Sequence, residues 1–231
     1  LRIFYYHKIP ELSVTIEKVE SFKESLKGLF ANSNYISFCW FIFLYMFFGG
    51  SVLTFLNLYE KESLLFSESD VISMGYSGQL GALAGYWLGA KWADKAKLVW
   101  LFRGNALLSA LSMTLFAILL KDMTSLVIYS GLLTFLFSLY FNSMGIGITT
   151  EAMWQVKIKN RSVGISFSMT MLAAGAALSS LVSSLYLTYC KDIKFEIVGR
   201  SFNHYQSYLL ISAFGLLSVV AYYSLKRNRT I

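Results

Sequence analysis

Long apolar segments separated by short polar stretches dominate the chain after residue 34. Each segment has about the 17–25 residues that a tilted helix needs to cross the hydrocarbon core of a bilayer. A transmembrane barrel would instead show alternating segments of about ten residues, a pattern that this sequence lacks. We therefore predict six transmembrane helices, at Tyr35–Leu58, Val71–Leu88, Leu98–Leu120, Leu126–Ile148, Val163–Tyr189 and Ser207–Leu225.

The first 30 residues have a different pattern, in which apolar positions recur at helical spacing between charged ones. The apolar positions are Ile16, Val19, Phe22, Leu26 and Phe30. This periodicity predicts an amphipathic helix, which either packs on other protein or lies in the membrane interface. We accordingly divide the chain into a cytoplasmic linker at residues 1–30 and a six-helix transmembrane domain at residues 31–231.

Composition supports the membrane assignment. Hydrophobic residues make up 56% of the chain and charged residues only 14%, whereas a soluble domain has roughly a quarter charged residues to wet its surface. The same figures exclude an intrinsically disordered chain. The predicted fold class is therefore an all-α integral membrane bundle.

The basic residues are unevenly divided between the two sides of the predicted bundle. Of the 20 Lys and Arg residues, 15 fall on the side that carries both ends of the chain and 5 on the other side. By the positive-inside rule the first side is cytoplasmic, and we expect the bundle in the plasma (inner) membrane. The acidic loop with Glu60, Glu62, Glu68 and Asp70 then faces outward. This distribution accounts for the net charge of +7 without nucleic acid as a partner.

Signatures of catalysis are missing from the sequence. It contains no HExxH, GxSxG, P-loop or CxxC pattern, the spacings that are typical of metal-dependent hydrolysis, acyl transfer, phosphate binding and redox chemistry. His7 and His204 lie far apart, with no carboxylate at ligand spacing. We therefore expect no enzyme activity, no metal and no cofactor.

Glycines at intervals of three and four residues mark one face of the second predicted span. They are Gly75, Gly78, Gly81, Gly85 and Gly89. Glycine lets another helix backbone approach closely in lipid, so this face predicts tight helix packing. The packing is either static or one along which a partner helix slides.

The loop after this span resembles a family signature. Residues 89–97 read Gly-Ala-Lys-Trp-Ala-Asp-Lys-Ala-Lys, which is similar to the loop Gly-x-x-x-Asp-Arg/Lys-x-Gly-Arg-Arg/Lys of the major facilitator superfamily. Asp94 and Lys95 match its acidic–basic core. Ala90 and Lys97 stand where the signature has its two glycines.

Two further stretches resemble the same family. Residues 48–59 are similar to its seventh helix, and residues 155–164 resemble the loop between the tenth and eleventh helices of efflux-type members. The resemblance implies that the chain is the C-terminal half, helices seven to twelve, of a twelve-helix transporter. Residues 1–30 then resemble the central cytoplasmic linker of the family.

The resemblance also implies a function. It predicts secondary active transport of a small molecule by rocker-switch alternating access, with proton-coupled efflux of an apolar or amphipathic compound as the expected form. The expected partners are the lipid bilayer, a small-molecule substrate, and the missing N-terminal six-helix half or a second copy of the chain. Nutrient uptake by the same fold and a non-transporting polytopic scaffold or assembly factor are the alternatives.

Polar side chains near the middle of the spans are the candidates for a substrate cavity, because transporters bind substrate near the bilayer midplane. The candidates are Tyr45, Asn57, Tyr76, Gln79, Ser138, Tyr140 and Asn142. Gln79 comes first because it flanks the glycine face. A purely structural hydrogen bond between helices is its alternative role.

Charged residues near the cytoplasmic ends of the spans predict a gate network, because charges at that depth are costly unless paired or wetted. The candidates are Asp94, Lys95, Arg103, Glu151 and Arg161. We expect Asp94 to pair with Arg161 or with a helix start, and Arg103 with Glu151; independent interfacial charges are the alternative. Glu151 is also a candidate proton carrier, although its place past the predicted fourth span puts it near water.

Overall fold

Helices make up most of the structure. The computed structural model describes residues 22–93, 98–119, 125–156, 160–191, 195–197 and 200–228. Within them lie the helices α1 (Phe22–Ala31), α2 (Ser33–Gly49), α3 (Val52–Glu62), α4 (Glu68–Ala93), α5 (Leu98–Ile118), α6 (Leu126–Gln155), α7 (Arg161–Tyr189) and α8 (His204–Asn228), and the strands β1 (Phe195–Ile197) and β2 (Arg200–Phe202). The prediction of an all-α fold is confirmed, apart from this one pair of short strands.

Within the described residues, five helical segments are long and apolar enough, by length and composition, to cross a membrane. They are Ser33–Glu62, Trp100–Ile118, Leu126–Gln155, Arg161–Tyr189 and His204–Leu225. The first of them combines α2 and α3. These segments confirm the predicted multi-pass membrane character of the chain.

Helix α4 contains the second predicted span but is not one of these five segments. Its 26 residues would extend about 39 Å at 1.5 Å per residue, enough to cross a bilayer. Its glycines and serines lower its hydropathy. That the second predicted span crosses the membrane therefore stays a prediction.

The first predicted span is interrupted near its middle. Gly50 and Ser51 separate α2 from α3, yet both keep right-handed helical backbone angles, with φ values of −64° and −96°. The amide of Gly50 still donates to the carbonyl of Met46 over 2.7 Å. The interruption therefore does not unwind the chain between α2 and α3.

The long helices alternate in direction along the chain. Tyr35 of α2 lies against Gly164 of α7, and further along both helices the amide of Ser51 meets Ser179. The chain runs in the same direction in these two helices. In the α5–α8 pair, by contrast, Gln206 near the start of α8 donates to the carbonyl oxygen of Ala117 at the end of α5. Helices α5 and α8 are therefore antiparallel.

The packing has an internal exchange symmetry. Helix α4 packs along α6, α2 along α7, and α5 along α8, while α5 also packs on α6 and α2 on α8. Exchanging the first three long segments (α2–α3, α4, α5) for the last three (α6, α7, α8), in order, leaves this set of pairs unchanged. The bundle therefore consists of two three-helix units with equivalent contacts.

Two smaller features lie outside the long helices. Strand β1 pairs antiparallel with β2 between α7 and α8, where the sequence pattern predicts no strand. Helix α1 lies in the predicted linker and buries Leu29 in a small cluster with Tyr35 and Val156, while its Lys23 and Lys27 are exposed. Residues 1–21 of that linker lie outside the described residues.

Candidate functional site: the bundle interior and the exposed faces of α4 and α7

The glycine face of α4 packs directly on the backbone of α6. At Gly81, Gly85 and Gly89, an added Cβ would overlap the carbonyl oxygens of Phe135, Leu139 and Ser143, respectively. Gly78 lies over the side chains of Thr134 and Ser138, while Gly75 has open space around it. Four of the five predicted glycines therefore serve one tight, parallel helix contact.

Helices α7 and α2 are the pair that corresponds to α4 and α6 when the two groups of three long segments are exchanged, and they also make a tight contact. An added Cβ at Gly175 would overlap the carbonyl oxygen of Phe43, and one at Gly50 would come within 3.2 Å of the Cα of Ala176. Gly175 of α7 thus has the same role as the glycines of α4. Each three-helix unit holds the other through the close approach of two backbones.

A cluster of hydroxyl groups connects the junction between α2 and α3 to helices α7 and α8. The amide of Ser51 donates to Oγ of Ser179 over 3.1 Å, and the two hydroxyl groups lie 2.8 Å apart. The hydroxyl of Tyr208 on α8 lies 2.5 Å from Oγ of Ser51. All three residues are buried, so the cluster fixes the junction between α2 and α3 inside the bundle.

Removing the Tyr208 hydroxyl should loosen this cluster. We expect Tyr208→Phe to lower the free energy of unfolding by about 1 kcal/mol, because one buried hydrogen bond is lost. Tyr222→Phe is the matched control, since Tyr222 lies on the same helix and is 61% exposed. Thermal unfolding of the purified variants in detergent checks this, and equal shifts for both variants would contradict the role of the cluster.

The seven predicted cavity residues fall into three groups. Asn57, Tyr76 and Gln79 are exposed, Tyr140 and Asn142 are partly buried, and Tyr45 and Ser138 are buried. The exposed group lies on α3 and α4, on surfaces open to a further partner. Gln79 is therefore exposed on α4, and its role stays a prediction.

The buried members of that set face the interior of the bundle. The ring of Tyr45 stacks on Phe141 with centroids 5.1 Å apart. Nδ2 of Asn142 donates to the carbonyl oxygen of Ser138 over 2.8 Å, one turn back in the same helix. In this arrangement Tyr45 and Ser138 are reached only from within the bundle.

The predicted charge network is described in part. Asp94 and Lys95 lie outside the described residues. Arg103 places its guanidinium over the ring of Trp100, 5.3 Å from the centroid, and Arg161 is partly buried. The pairing of Arg103 with Glu151 stays a prediction.

The expectation that Glu151 lies near water is wrong. Helix α6 continues to Gln155, past the predicted end at Ile148, and Glu151 is only 1% exposed. Its Oε1 accepts a hydrogen bond of 2.6 Å from Nε2 of Gln155. The helix is longer than its apolar core, so its last two turns bury polar residues.

Glu60 corrects a second expectation, that it belongs to an outward-facing acidic loop. It lies within α3 and is fully buried, with 0% of its surface exposed. The buried residues Leu56 and Tyr59 share its side of the helix. A residue four positions after an apolar one continues the same helical face, but only the neighbouring helices decide whether that face is covered at the end of α3.

A row of buried hydroxyl groups on α6 is a further feature that the sequence pattern did not single out. Ser130, Thr134 and Ser138 lie four residues apart and are buried. Within the described part of the chain, their hydroxyl oxygens have no hydrogen-bond partner. Such groups are rare inside proteins because each costs free energy unless a partner or water satisfies it.

Metal ligands do not cluster in the described ranges: there, no three His, Cys, Asp or Glu residues are placed to hold one ion together. No protein-family model matches the chain, and no curated protein matches its sequence.

Proposed function

We propose that the chain is one six-helix half of a secondary transporter of the major facilitator type, which moves a small molecule by alternating access. The exchange symmetry of the packing carries this proposal. Units of three helices have opposite orientations when they follow each other across a membrane, because an odd number of crossings ends on the opposite side. Transporter halves built from inverted three-helix repeats have this organisation.

In this proposal α4 also crosses the membrane, which brings the number of spans to six. Helix α4 runs parallel to α6 and contacts it from Gly78 to Gly89, so a membrane-spanning α6 would carry α4 with it. The outer side of α4 is apolar, with Leu83 67% and Trp87 64% exposed. A helix with a glycine face toward a neighbouring helix and apolar residues on its other side is compatible with a membrane span despite its modest hydropathy.

A second bundle covers α4 and α7 in the assembled protein. Only 17% of the apolar window of α7 is buried, compared with 44–56% in the other four segments. Its exposed side carries small and hydroxyl-bearing residues, namely Ser166, Thr170, Ala173, Ala177, Ser180 and Ser184. Such a face is typical of helix contacts or a wet cavity rather than of lipid. The partner is an N-terminal six-helix half or a second copy of this chain.

The substrate is a small apolar or amphipathic compound that leaves the cell, and its site lies between the two bundles. Tyr76 and Trp87 give the open side of α4 an aromatic surface, with Gln79 as a polar group among them. Nutrient uptake through the same cavity is the alternative direction. Both ends of the chain are cytoplasmic in this proposal, as the distribution of basic residues requires.

Cysteine accessibility tests whether a water-filled cavity exists. In liposomes that contain this bundle assembled with its partner bundle, and in a background that lacks Cys39 and Cys190, we expect Gln79→Cys to react with a membrane-impermeant maleimide. Leu107→Cys is the matched control: Leu107 lies near the middle of α5 and is 59% exposed, but it faces lipid in this proposal. A thiol in lipid does not react with this reagent, because the reagent needs water.

The outcomes separate a transporter from a scaffold. Labelling of Gln79→Cys alone supports a cavity beside α4. If both cysteines stay unlabelled, the cavity is absent, and the non-transporting scaffold becomes the better assignment. Efflux of a lipophilic dye from cells that produce the protein, compared with Gln79→Ala, then tests transport itself.

A further inference from the structure

The carboxyl group of Glu60 is enclosed by neighbouring helices. It is completely buried near the end of α3, and within the described part of the chain neither of its carboxyl oxygens has a hydrogen-bond partner. The hydroxyl of Thr134 on α6 lies beside it, outside hydrogen-bond geometry. An ionised carboxylate would lose its hydration there without a hydrogen bond to replace it, which costs free energy.

The charged groups around Glu60 are engaged with other residues. Lys61 on the same helix pairs with Glu68 of α4 over 3.5 Å. On α8, the hydroxyl of Tyr205 donates to Glu62 over 2.6 Å. The other titratable groups of α4 and α8 near this end are Asp70, which accepts from Ser67, His204, which stacks on Tyr205, and Tyr208, which contacts Ser51. Helix α6 contributes only hydroxyl groups between residues 130 and 138.

The hydroxyl row connects Glu60 to the contact between α4 and α6. Thr134 and Ser138 lie under Gly78 of α4, where an added Cβ would come within 3.3 Å of each side chain. A hydroxyl group donates and accepts hydrogen bonds, so a row of them passes protons once water enters beside it. In the packed state, α4 covers this row of hydroxyl groups.

We propose that Glu60 is the proton-binding site of this bundle, with Thr134 and Ser138 as the hydroxyl groups that connect it to water when α4 moves. The proposal rests on the transport function proposed above and specifies its coupling ion. Water on one side of the membrane supplies a proton to the carboxylate, which becomes the neutral acid. After the change in access the acid returns the proton to water on the other side, and the carboxylate is restored.

The test measures how pH changes the accessibility of the cavity. Gln79→Cys is labelled in liposomes between about pH 5 and about pH 9, in the presence of Glu60 and with Glu60→Gln. Each rate is divided by the rate of a free thiol at the same pH, which removes the ionisation of the thiol itself. With Glu60 present, we expect the corrected rate to change by about tenfold, as one access state replaces the other. With Glu60→Gln it should stay constant.

The control variant is Glu62→Gln, which removes an exposed carboxylate two residues away and should keep the pH response. A pH response that survives Glu60→Gln overturns the proton site and leaves the transporter intact. A response that disappears in sodium-free choline buffer shows a cation site and also overturns it. If Gln79→Cys is never labelled, it is the transport proposal that fails.

Infrared difference spectroscopy tests the carboxyl group directly and without the cavity. We expect the protein to show a C=O stretching band of a protonated, buried carboxylic acid at neutral pH, and Glu60→Gln to lose that band. If Glu60→Gln does not fold, Thr134→Val serves instead, since loss of the neighbouring hydroxyl shifts the band. A protein without such a band, or a band that neither substitution changes, contradicts the proposal.

Discussion

Gly85→Ala destabilises the bundle, although alanine is the better helix former. The added methyl group would overlap the carbonyl oxygen of Leu139, and a backbone atom has no rotamer by which to move aside. Overpacking of this kind costs about 1–3 kcal/mol. We expect the free energy of unfolding to fall by that amount, and thermal or detergent unfolding of the purified protein measures it.

Gly75→Ala is the matched control for Gly85→Ala. Gly75 lies on the same helix, and an added Cβ there meets nothing within 4 Å. Alanine favours a helix over glycine by about 1 kcal/mol, so this substitution should be neutral or stabilising. The two changes are chemically identical and should have opposite signs. Equal effects would show that the glycines of α4 do not hold α6.

Gly175→Ala should produce a loss of similar size at the equivalent helix pair. The methyl group would overlap the carbonyl oxygen of Phe43, and Cβ of Met46 lies only 3.1 Å away. The contact between α7 and α2 would have to open, which also strains the link between Ser179 and Ser51. We expect a loss of about 1–3 kcal/mol in the free energy of unfolding.

Gly104→Ala controls for the helix propensity in this second comparison. Gly104 lies within α5, and an added Cβ meets nothing within 4 Å. Unfolding of both variants under the same conditions separates the packing effect from propensity. Similar losses for Gly85→Ala and Gly175→Ala, with neither control affected, would support the equivalence of the two three-helix units. A stable Gly175→Ala variant would refute that equivalence.

The glycine face shows how far local pattern reaches. Intervals of three and four residues place Gly78 and Gly85 on one side of a helix whatever its surroundings, so the tight face is predictable. The identity of the partner is not, since any helix with small side chains could fill the role. Phe135 and Leu139 of α6 are more than 50 positions away in the chain, and only the assembled bundle brings them together.

Glu60 and Glu151 show where the sequence pattern misleads. Both follow the apolar core of a span, and a hydropathy window ends before a carboxylate because it averages over many residues. The helices α3 and α6 nevertheless continue through Glu60 and Glu151. Neighbouring helices then cover both side chains. Burial at the end of a helix depends on how far its neighbours extend, which is not a local property.

The membrane class and the helical fold follow from the sequence alone, because span length and helical period are properties of consecutive residues. Three features follow only from the tertiary structure: the hydroxyl contacts of Ser51, the close contact of Gly85 with Leu139, and the burial of the Glu60 carboxyl group. Each of these features depends on which helix lies beside which. That choice is made by side chains far apart in the chain, whose fit exists only once the helices have packed.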